Sequence, residues 1–307
     1  MGLLAQTSIH AGAGTSTGPI DLPIQREGQN GWPCVYGSAV KGALRTHAEQ
    51  KKARLLAGQN AMIDTPEDYR ENVQLADDIA VVYGPPTTMA SEHAGAIMVS
   101  DARLLLFPVR SLTSQFKWVT SPEALKRYLR DAQRLGLNPG SVDIPDVIDT
   151  QEGLQAIVDE KAGSRDVFLE EYRFETQARN LGGVIGVLSG LMARDDAQTV
   201  LTKQLLIVSD DSFTYLTQHA TPVNAHIAID ALSKTVSSGA LWYEESLPPE
   251  SLLYVALGAV NGRKAGAKLD AAAVMNCVLH LFDGQPWLQL GGNETVGMGW
   301  CAVKAFK

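Results

Sequence analysis

Short apolar segments alternate loosely along this chain with amphipathic segments of helical periodicity, and long loops separate the two kinds. The segments typical of strands are residues 2–9, 95–107, 205–208, 223–229, 252–257 and 300–306. The helical segments are residues 38–56, opened by Ser38, residues 121–135, opened by Ser121 or Pro122, and residues 271–282. This alternation predicts an α+β fold with helices on one face of a mainly antiparallel sheet.

The length and composition of the chain set the scale of that fold. It has 307 residues, of which 45% are hydrophobic and 20% are charged. This is enough for a substantial core, in one elaborated domain or two small ones. Residues 58–95 and 137–165 lack a clear periodicity, so we expect them to be irregular insertions, the first polar and with one short helical stretch.

Several common functional signatures are absent from the sequence. It has no GxGxxG dinucleotide fingerprint, no P-loop, no GxSxG elbow and no HExxH zinc motif. Cys34, Cys277 and Cys301 form no CxxC pair or zinc spacing, and we expect them to be reduced thiols in a cytoplasmic protein. We also expect no signal peptide and no membrane span, because every apolar run is too short.

The distribution of charge differs from the acidic total. The formal net charge is −8, yet residues 1–60 contain six basic and three acidic side chains. Residues 102–130 contain six basic side chains and one acid, Glu123. Binding to phosphate requires a local basic surface rather than a basic total, so both regions are candidates for contact with a nucleic acid. The alternative is ordinary scatter of charge over solvated surfaces.

The loop HAGAGTSTGPIDLPIQRE, residues 10–27, is the first segment that points to chemistry. Its glycines expose backbone amides that can bind phosphate, and it carries His10, Asp21, Arg26 and Glu27. A long loop inside a compact domain is usually functional. Asp21 is a candidate to bind a divalent cation or to position a ribose 2′-hydroxyl. Alternatively, Asp21 only caps a turn between the neighbouring prolines.

The segment YGSAVKGALR, residues 36–45, opens the first predicted helix. Lys41 and Arg45 lie four residues apart and therefore share one face of that helix. The amides at the helix N-terminus, together with Lys41, are suited to bind a phosphate group. The alternative is a solvated basic face with no ligand.

The segment LGGNETVGMGWCAV, residues 290–303, leads into the last predicted strand. Its glycines indicate backbone positions with positive φ, or a close approach to another stretch of backbone. They are Gly291, Gly292, Gly297 and Gly299. A simple hairpin turn is the alternative for this segment.

Taken together and in this order, these segments resemble the RAMP superfamily of CRISPR proteins, in particular the backbone subunits of type III-B (Cmr) effector complexes. The matching pieces are HAGAG…IDLPIQRE with YGSAVKGALR, AGAIMVSDARLLLFPVRS with SPEALKRYLRD, SSGALWYEESLPPESLL, and LGGNETVGMGWCAV. They are spread over nearly the whole chain. Each piece is modestly specific, and their shared order is what identifies the family.

The resemblance implies an architecture and an assembly. It implies a modified RRM-like, ferredoxin-like core with long insertions, shaped as a palm with fingers and a thumb, in a single RAMP domain over residues 1–307. The thumb is expected at about residues 210–245 and would splay a nucleotide between guide and target RNA. Such subunits stack head-to-tail along a guide RNA, which is a heterologous interface that does not close. Other Cmr subunits are the expected partners.

The resemblance also implies a reaction. In the family, the aspartate of the DxPIQRE motif is needed to cut target RNA, and here that residue is Asp21. The expected reaction is a transesterification that depends on Mg²⁺ or Mn²⁺, in which a ribose 2′-hydroxyl attacks the adjacent phosphate. A carboxyl group with the ordinary pKa of about 4 is a weak base at neutral pH, so we expect Asp21 to bind metal or align the hydroxyl. His10 and Glu245, or its neighbour Glu244, are further catalytic candidates.

Guide RNA is expected to bind to the basic and glycine-rich segments and to be recognised by backbone and shape. The candidate residues are Arg26, Ser38, Lys41, Arg45, Arg110, Gly291, Gly292, Gly297 and Gly299. One departure from the family pattern is His226, at a position where a basic residue is frequent.

Three other functions stay open at this point. The chain is an architectural RNA-binding subunit without catalysis, an endonuclease that trims precursor guide RNA, or an enzyme that holds a small nucleotide in its glycine-rich loops. Cleavage by an assembled complex, cleavage of isolated repeat RNA, and binding of mononucleotides compared with long RNA distinguish these alternatives.

Overall fold

The structure of the protein, a computed structural model, describes residues 1–58, 65–163 and 166–305. The helices are α1 (Gly37–Gly58), α2 (Pro66–Tyr69), α3 (Asp77–Tyr83), α4 (Pro122–Arg134), α5 (Gly182–Leu191), α6 (Ala197–Gln204), α7 (Asp210–His219) and α8 (Ala271–Leu279). The strands are β1 (Gly2–Ala5), β2 (Cys34–Val35), β3 (Ile97–Val99), β4 (Ala102–Ser111), β5 (Ser114–Thr120), β6 (Leu154–Asp159), β7 (Val167–Leu169), β8 (Tyr172–Arg179), β9 (Leu205–Val208), β10 (Val223–Ile229), β11 (Val236–Glu245), β12 (Leu252–Tyr254), β13 (Leu257–Ala259), β14 (Trp287–Gln289) and β15 (Trp300–Lys304).

One large sheet forms the centre of the fold. Its strand order is β14-β15-β1-β12-β4-β5-β9-β6-β8-β7, with β2 added beside β4. Among the described strands, β5–β9 and β6–β8 are the parallel pairs, and the other neighbours in this sheet are antiparallel. Strand β7 also pairs with β4 through Leu169 and Ser111, so this half of the sheet curls back on itself. The predicted mixed fold around a mainly antiparallel sheet is confirmed.

Helices cover both faces of this sheet, so the prediction that they lie on one face is wrong. In β1, Leu3 packs in one apolar cluster with Val40 and Leu44 of α1, whereas Leu4 packs in a second cluster with Leu188 of α5. Helices α3, α7 and α8 contribute to the first cluster, and α6 contributes to the second. Side chains alternate along a strand, and here both sets are apolar, so both faces of the sheet need a cover.

The first residues of two helices show how well local signals predict a helix end. Helix α4 begins where expected, because the Ser121 hydroxyl accepts a hydrogen bond from the amide of Ala124, as an N-cap does. Helix α1 already begins at Gly37, whose amide donates to the carboxylate of Asp101 at 2.7 Å. Ser38 is therefore not the N-cap, and the cap is supplied by a residue distant in sequence.

The other predicted elements are present with altered ends. The segment 95–107 is divided between β3 and β4, and 252–257 between β12 and β13. The predicted helix 271–282 is α8 followed by the 3₁₀ turn His280–Phe282. Strand β15 ends at Lys304, and Phe306 of the predicted strand lies outside the described residues.

The two segments predicted to be irregular contain more regular structure than expected. Residues 66–83 form α2, a π-helical turn and α3, and residues 154–159 form β6 within the central sheet. Residues 59–64, 164 and 165 of these segments lie outside the described residues. No described helix is both long and apolar enough to span a bilayer.

A long hairpin of β10 and β11 stands outside the central sheet. Apolar side chains are exposed along it and at its turn: Val223, Ile227, Ile229, Leu232, Val236, Leu241 and Tyr243. Leu232 at the turn is 95% exposed. Helix α7, which precedes the hairpin, is instead anchored in the core by Phe213 and Leu216. The hairpin is thus a projecting ribbon attached to a well-packed base.

Candidate functional site

The base of the hairpin holds Asp21 in place. The loop that follows β1 runs beside β11, where the amide of Leu22 donates to the Tyr243 carbonyl and the amide of Glu245 donates to the Leu22 carbonyl, both at 3.0 Å. Oδ2 of Asp21 accepts the amide hydrogen of Tyr243 at 2.8 Å. Oδ1 has no partner among the residues that the structure describes, and Asp21 is half-buried. One carboxylate oxygen therefore fixes the side chain, and the other is available to a ligand.

His10 is held beside the same strand by its ring. Nδ1 lies 2.7 Å from the carbonyl oxygen of Glu245. Since a carbonyl oxygen only accepts, Nδ1 must carry a proton, and Nε2 is left to bind other groups. An added Cβ at Gly12 would lie 3.0 Å from Nε2, so the glycine keeps the space beside this nitrogen open. His10 is 9% exposed.

The two glutamates at the end of β11 have different surroundings. Glu245 is 2% exposed, and its carboxylate accepts hydrogen bonds from Arg26, from the Thr221 hydroxyl at 2.7 Å and from the amide of Ile24 at 3.0 Å. Glu245 is therefore a buried, hydrogen-bonded carboxylate and not a surface acid. Glu244 points to the other side of the strand, where its Oε1 lies 3.8 Å from Nδ1 of His10.

The glycine loop near the end of the chain packs against this site. The amide of Gly292 donates to the carbonyl of His10 at 2.8 Å, and Asn293 donates from its side chain to Glu244 at 2.6 Å. Gly291 has a φ of 85°, and a Cβ there would overlap the His10 carbonyl oxygen. The close approach of two backbones accounts for this glycine. Gly297, with a φ of 84°, lies in the open.

Two buried ion pairs anchor the end of the loop that carries Asp21. Arg26 pairs with Glu245 and donates further hydrogen bonds to the carbonyls of Gly31 and Thr217. Glu27 pairs with Arg127 of α4 at 2.6 Å. Arg26 and Glu27, which are adjacent in sequence, thus bind to β11 and α4 respectively. Most donors of Arg26 are committed to the protein, and its side chain is 23% exposed.

Lys41 and Arg45 lie on a face of α1 that meets the segment following α3. Arg45 pairs with Glu49 at 2.7 Å and donates to the carbonyls of Gly84 and Pro85. Nζ of Lys41 donates one hydrogen bond, 3.3 Å long, to the carbonyl of Ile97. Lys41 has no carboxylate partner among the described residues. Burial, and then the positive charges of Arg263 and Arg45, lower the pKa of Lys41. Lys41 is therefore the less committed of the two cations.

A cleft of about 340 Å³ lies between α1 and the glycine loop. On the helix side, small residues line it, including Ala39, Gly42 and Ala43, and on the loop side it reaches Gly291 and Trp300. The amide of Gly37 at the start of α1 is occupied by the Asp101 carboxylate, so that amide is not free for phosphate. The cleft joins α1 to the loop that contacts His10.

The remaining predicted RNA-binding residues lie apart from these contacts. Ser38 is exposed at the start of α1. Arg110 is exposed at the end of β4, where it pairs with Glu170 at 2.7 Å. His226 stacks on Trp242 in the hairpin, with ring centroids 5.5 Å apart. The structure thus attaches Asp21 and His10 to the same strand, β11, and places the glycine loop against His10.

Sequence reasoning missed two contributors to the site. Asn293 lies within the predicted glycine loop, has a φ of 61° and donates to Glu244. An asparagine among glycines is a sequence signal for such a backbone position. Tyr243 contributes through its backbone amide, which no side-chain pattern reveals.

The described residues include no group of three or more His, Cys, Asp or Glu side chains placed to hold a metal ion. Mg²⁺ prefers an octahedral set of oxygen ligands, whereas Asp21 offers one carboxylate oxygen that the protein does not use. Glu244 is already bonded to Asn293. The residues present therefore do not fit a preformed cation site.

Comparison with known sequences assigns the chain to a family. The model of the RAMP superfamily matches residues 3–302. The CRISPR system Cmr endoribonuclease Cmr4 of Pyrococcus furiosus is 35% identical over 307 residues, which covers 99% of this chain and 94% of that protein. The CRISPR system CMR subunit Cmr4 of Saccharolobus solfataricus is 25% identical, covering 96% of this chain and 92% of that protein.

Solved structures give the same result for the fold. The crystal structure of oligomeric Cmr4 from Pyrococcus furiosus matches with a TM-score of 0.66 and 28% identity, covering 98% of this chain and 94% of that one. A chain of the type III-B Cmr-beta complex bound to cognate target RNA, seen by cryo-electron microscopy, matches with a TM-score of 0.67 and 22% identity over the same shares.

Proposed function

The chain belongs to the RAMP superfamily, and on that premise we propose that it is a backbone subunit of a type III-B CRISPR ribonucleoprotein that cleaves target RNA. It binds guide RNA in a head-to-tail row of its own copies, together with other Cmr subunits. The 35% identical Pyrococcus protein, named an endoribonuclease, supports this proposal. The observation that carries it is the Asp21 carboxylate, fixed at the base of the hairpin with one oxygen free.

The projecting hairpin supports the assignment of a thumb. Between Val223 and Tyr243 the hairpin exposes apolar side chains, which are suited to enter between stacked bases. Helix α7 is anchored in the core and belongs to the palm, whose centre is the large sheet. The RRM-like core and the fingers, with insertions at about 58–95 and 137–165, complete the proposed single RAMP domain.

Asp21 and His10 have separate roles in the proposed reaction. Asp21 accepts a hydrogen bond from the attacking 2′-hydroxyl at its free Oδ1, which aligns the oxygen with the phosphorus, and the hydroxyl proton passes to water as the 2′-oxygen–phosphorus bond forms. The phosphorus–O5′ bond breaks, and protonated His10 donates from Nε2 to the leaving 5′-oxygen. The products are a 2′,3′-cyclic phosphate and a 5′-hydroxyl. Glu244, 3.8 Å from Nδ1, stabilises the charged ring.

The spacing of these two groups is compatible with one scissile phosphate. Asp21 is bonded to Tyr243 and His10 to Glu245, two residues farther along β11. Two residues of an extended strand span roughly 7 Å, which a ribose and its 3′-phosphate bridge. Glu245 itself acts through Arg26 and the backbone of Ile24, so we assign it a positioning role.

A divalent cation remains a proposal for this chain. Mg²⁺ or Mn²⁺ would draw most of its oxygen ligands from RNA phosphates and water, and the Oδ1 of Asp21 would then hold the cation in place of the 2′-hydroxyl. Cleavage by the assembled complex in EDTA, compared with cleavage after Mg²⁺ is restored, tests this dependence. Equal rates in both conditions contradict it.

The proposed function is tested by changing Asp21 in the assembled complex with guide RNA. We expect Asp21→Ala to slow target cleavage by roughly 100-fold or more while target binding changes little. Asp21→Asn is the matched control for geometry, because its carbonyl oxygen still accepts from Tyr243, and we expect it to be as slow. Cleavage by both variants at the unmodified rate would make the chain an architectural subunit.

A further inference from the structure

The glycine loop reaches the candidate catalytic groups through the side chain of Asn293. Its Nδ2 donates a 2.6 Å hydrogen bond to Oε1 of Glu244, and the same Oε1 lies 3.8 Å from Nδ1 of His10. Glu244 is 6% exposed, so its carboxylate has little contact with water and depends on the protein groups around it for its position. Asn293 thus holds the very oxygen that faces the histidine ring.

The main chain fixes the distance between Asn293 and His10. The amide of Gly292 donates to the His10 carbonyl at 2.8 Å. The amide of Gly299, on the other side of Asn293, donates to the Ser8 carbonyl at 2.8 Å. The loop is therefore attached, before and after Asn293, to the segment that carries His10. Asn293 reaches Glu244 from a fixed support.

The position of Asn293 demands both an unusual backbone and a side-chain donor. Its φ is 61°, in the left-handed region that asparagine and aspartate adopt more readily than most residues with a side chain. In this conformation its carbonyl accepts from the amides of Val296 and Met298, both at 3.2 Å. Only an amide side chain can also donate to a carboxylate, which an ionised aspartate cannot do. Asparagine satisfies both requirements.

Two acceptors lie on the Nδ1 side of His10. The Glu245 carbonyl is 2.7 Å from Nδ1, whereas Oε1 of Glu244 is 3.8 Å away, beyond hydrogen-bond range. A carboxylate is the stronger acceptor for a charged imidazole, so a free Glu244 would compete for Nδ1 and turn the ring. The hydrogen bond from Asn293 keeps this carboxylate near enough to stabilise a positive ring without displacing the carbonyl. The bond made by Nδ1 in turn sets the direction of Nε2.

We propose that Asn293 is a positioning residue for departure of the 5′-oxygen: it holds Glu244 at the distance that keeps the His10 ring on its carbonyl partner, with Nε2 directed at the leaving oxygen. The inference rests on the proposed function and gives the glycine loop a part in the reaction that is separate from any contact with guide RNA. Asn293 acts on the ring through Glu244 and does not itself contact the reacting atoms. Displacement of a catalytic group by about 1 Å can slow a reaction roughly 100-fold, so the effect is large enough to measure.

The test measures single-turnover cleavage of two target RNAs by the assembled complex with guide RNA. One is the ordinary target, and the other has sulfur in place of the bridging 5′-oxygen at the scissile phosphate. The sulfur leaves as a thiolate and needs no proton, because a thiol ionises far more readily than an alcohol. Loss of a residue that serves the general acid therefore slows cleavage of the oxygen target alone, whereas damage to the structure of the site slows cleavage of both targets.

Asn293→Gly removes the amide and keeps a backbone that adopts positive φ without strain. We expect it to slow cleavage of the oxygen target by about tenfold or more, and that of the sulfur target by less than about twofold. Gln289→Ala is the matched control, because its amide donates to the carbonyls of Gly291 and Met298 and so supports the same loop without reaching Glu244. Any slowing by this control should be equal for the two targets.

Glu244→Ala tests the same contact from its other end and should also slow cleavage of the oxygen target alone. Because Asn293 acts through Glu244, the double variant should be no slower than Glu244→Ala by itself. Equal rates on the two targets for Asn293→Gly, whether slowed or unchanged, or additive effects in the double variant, would overturn the inference and leave the proposed function intact. Asp21→Ala should slow cleavage of both targets, and its failure to slow either would instead remove the proposed function.

Discussion

The backbone amide of Tyr243 donates a 2.8 Å hydrogen bond to Oδ2 of Asp21, and so links the candidate catalytic carboxylate to the strand that continues into the hairpin. Because the donor belongs to the main chain, no substitution at residue 243 other than proline removes it. The contact depends instead on the pairing of Leu22 with β11 and on the ion pair of Arg26 with Glu245.

The Arg26–Glu245 pair should contribute strongly to stability. Arg26→Ala leaves the buried Glu245 carboxylate without its cation, and we expect the free energy of unfolding to fall by about 3 kcal/mol. Urea unfolding followed by circular dichroism measures this loss. Arg130→Ala is the control, since its pair with Glu123 is exposed and should contribute less than about 1 kcal/mol. Equal losses for the two variants would contradict a buried anchor.

His10 should affect the cleavage rate more than target binding. Removal of a positioned general acid typically slows a reaction by about 10²–10⁴-fold, so we expect His10→Ala to lower the single-turnover rate by at least about 100-fold. His10→Asn is informative because its amide still reaches the Glu245 carbonyl but lacks Nε2. We expect it to be slow as well. A rate unchanged in both variants would mean that water protonates the leaving oxygen.

Alanine substitutions at two glycines of the terminal loop distinguish the effect of backbone strain from that of steric overlap. Gly291 and Gly297 have φ values of 85° and 84°, so an alanine at either position costs about 1–2 kcal/mol of backbone strain. Only Gly291→Ala also drives a Cβ into the His10 carbonyl. We expect Gly291→Ala to lower both the melting temperature and the cleavage rate further than Gly297→Ala. Indistinguishable variants would show that the two loops are not closely packed.

Thiol labelling should report the burial of the cysteines. Burial raises the pKa of Cys34, helped by the charges of Glu27 and Asp101, and that of Cys301, each to about 12, so at pH 8 almost no thiolate forms at either. Cys277 is partly exposed, and we expect it to react first with a maleimide. Cys277→Ser should then leave a folded protein that labels only after unfolding, as mass spectrometry would show. Rapid labelling of that variant would contradict the packing of the other two thiols.

Local signals predicted the parts of the fold that depend on near neighbours. Ser121 and Pro122 mark the start of α4 because a cap bonds within its own turn. Strand β6 was missed because Leu154–Asp159 follows a long loop, and it is a strand only through pairing with β8 and β9. Helices on both faces were missed for a similar reason, since the partner of each strand face is distant in sequence.

The sequence alone does not show whether Glu244 or Glu245 faces the candidate catalytic groups. Glu244 and Glu245 point to opposite sides of β11 because side chains alternate along a strand. Their roles follow from partners distant in sequence: Arg26, 219 residues away, binds Glu245, and His10 lies near Glu244.

Because Asp21 is bonded to the same strand that forms the hairpin, each copy of the chain would carry its cutting group at a constant offset from its own projection. In a row of identical copies, the fragments of a long target would then form a ladder with a single step, whatever the base sequence. The difference in length between successive fragments would measure the distance between neighbouring subunits. A change in how the copies pack, rather than in any one site, would be needed to alter it.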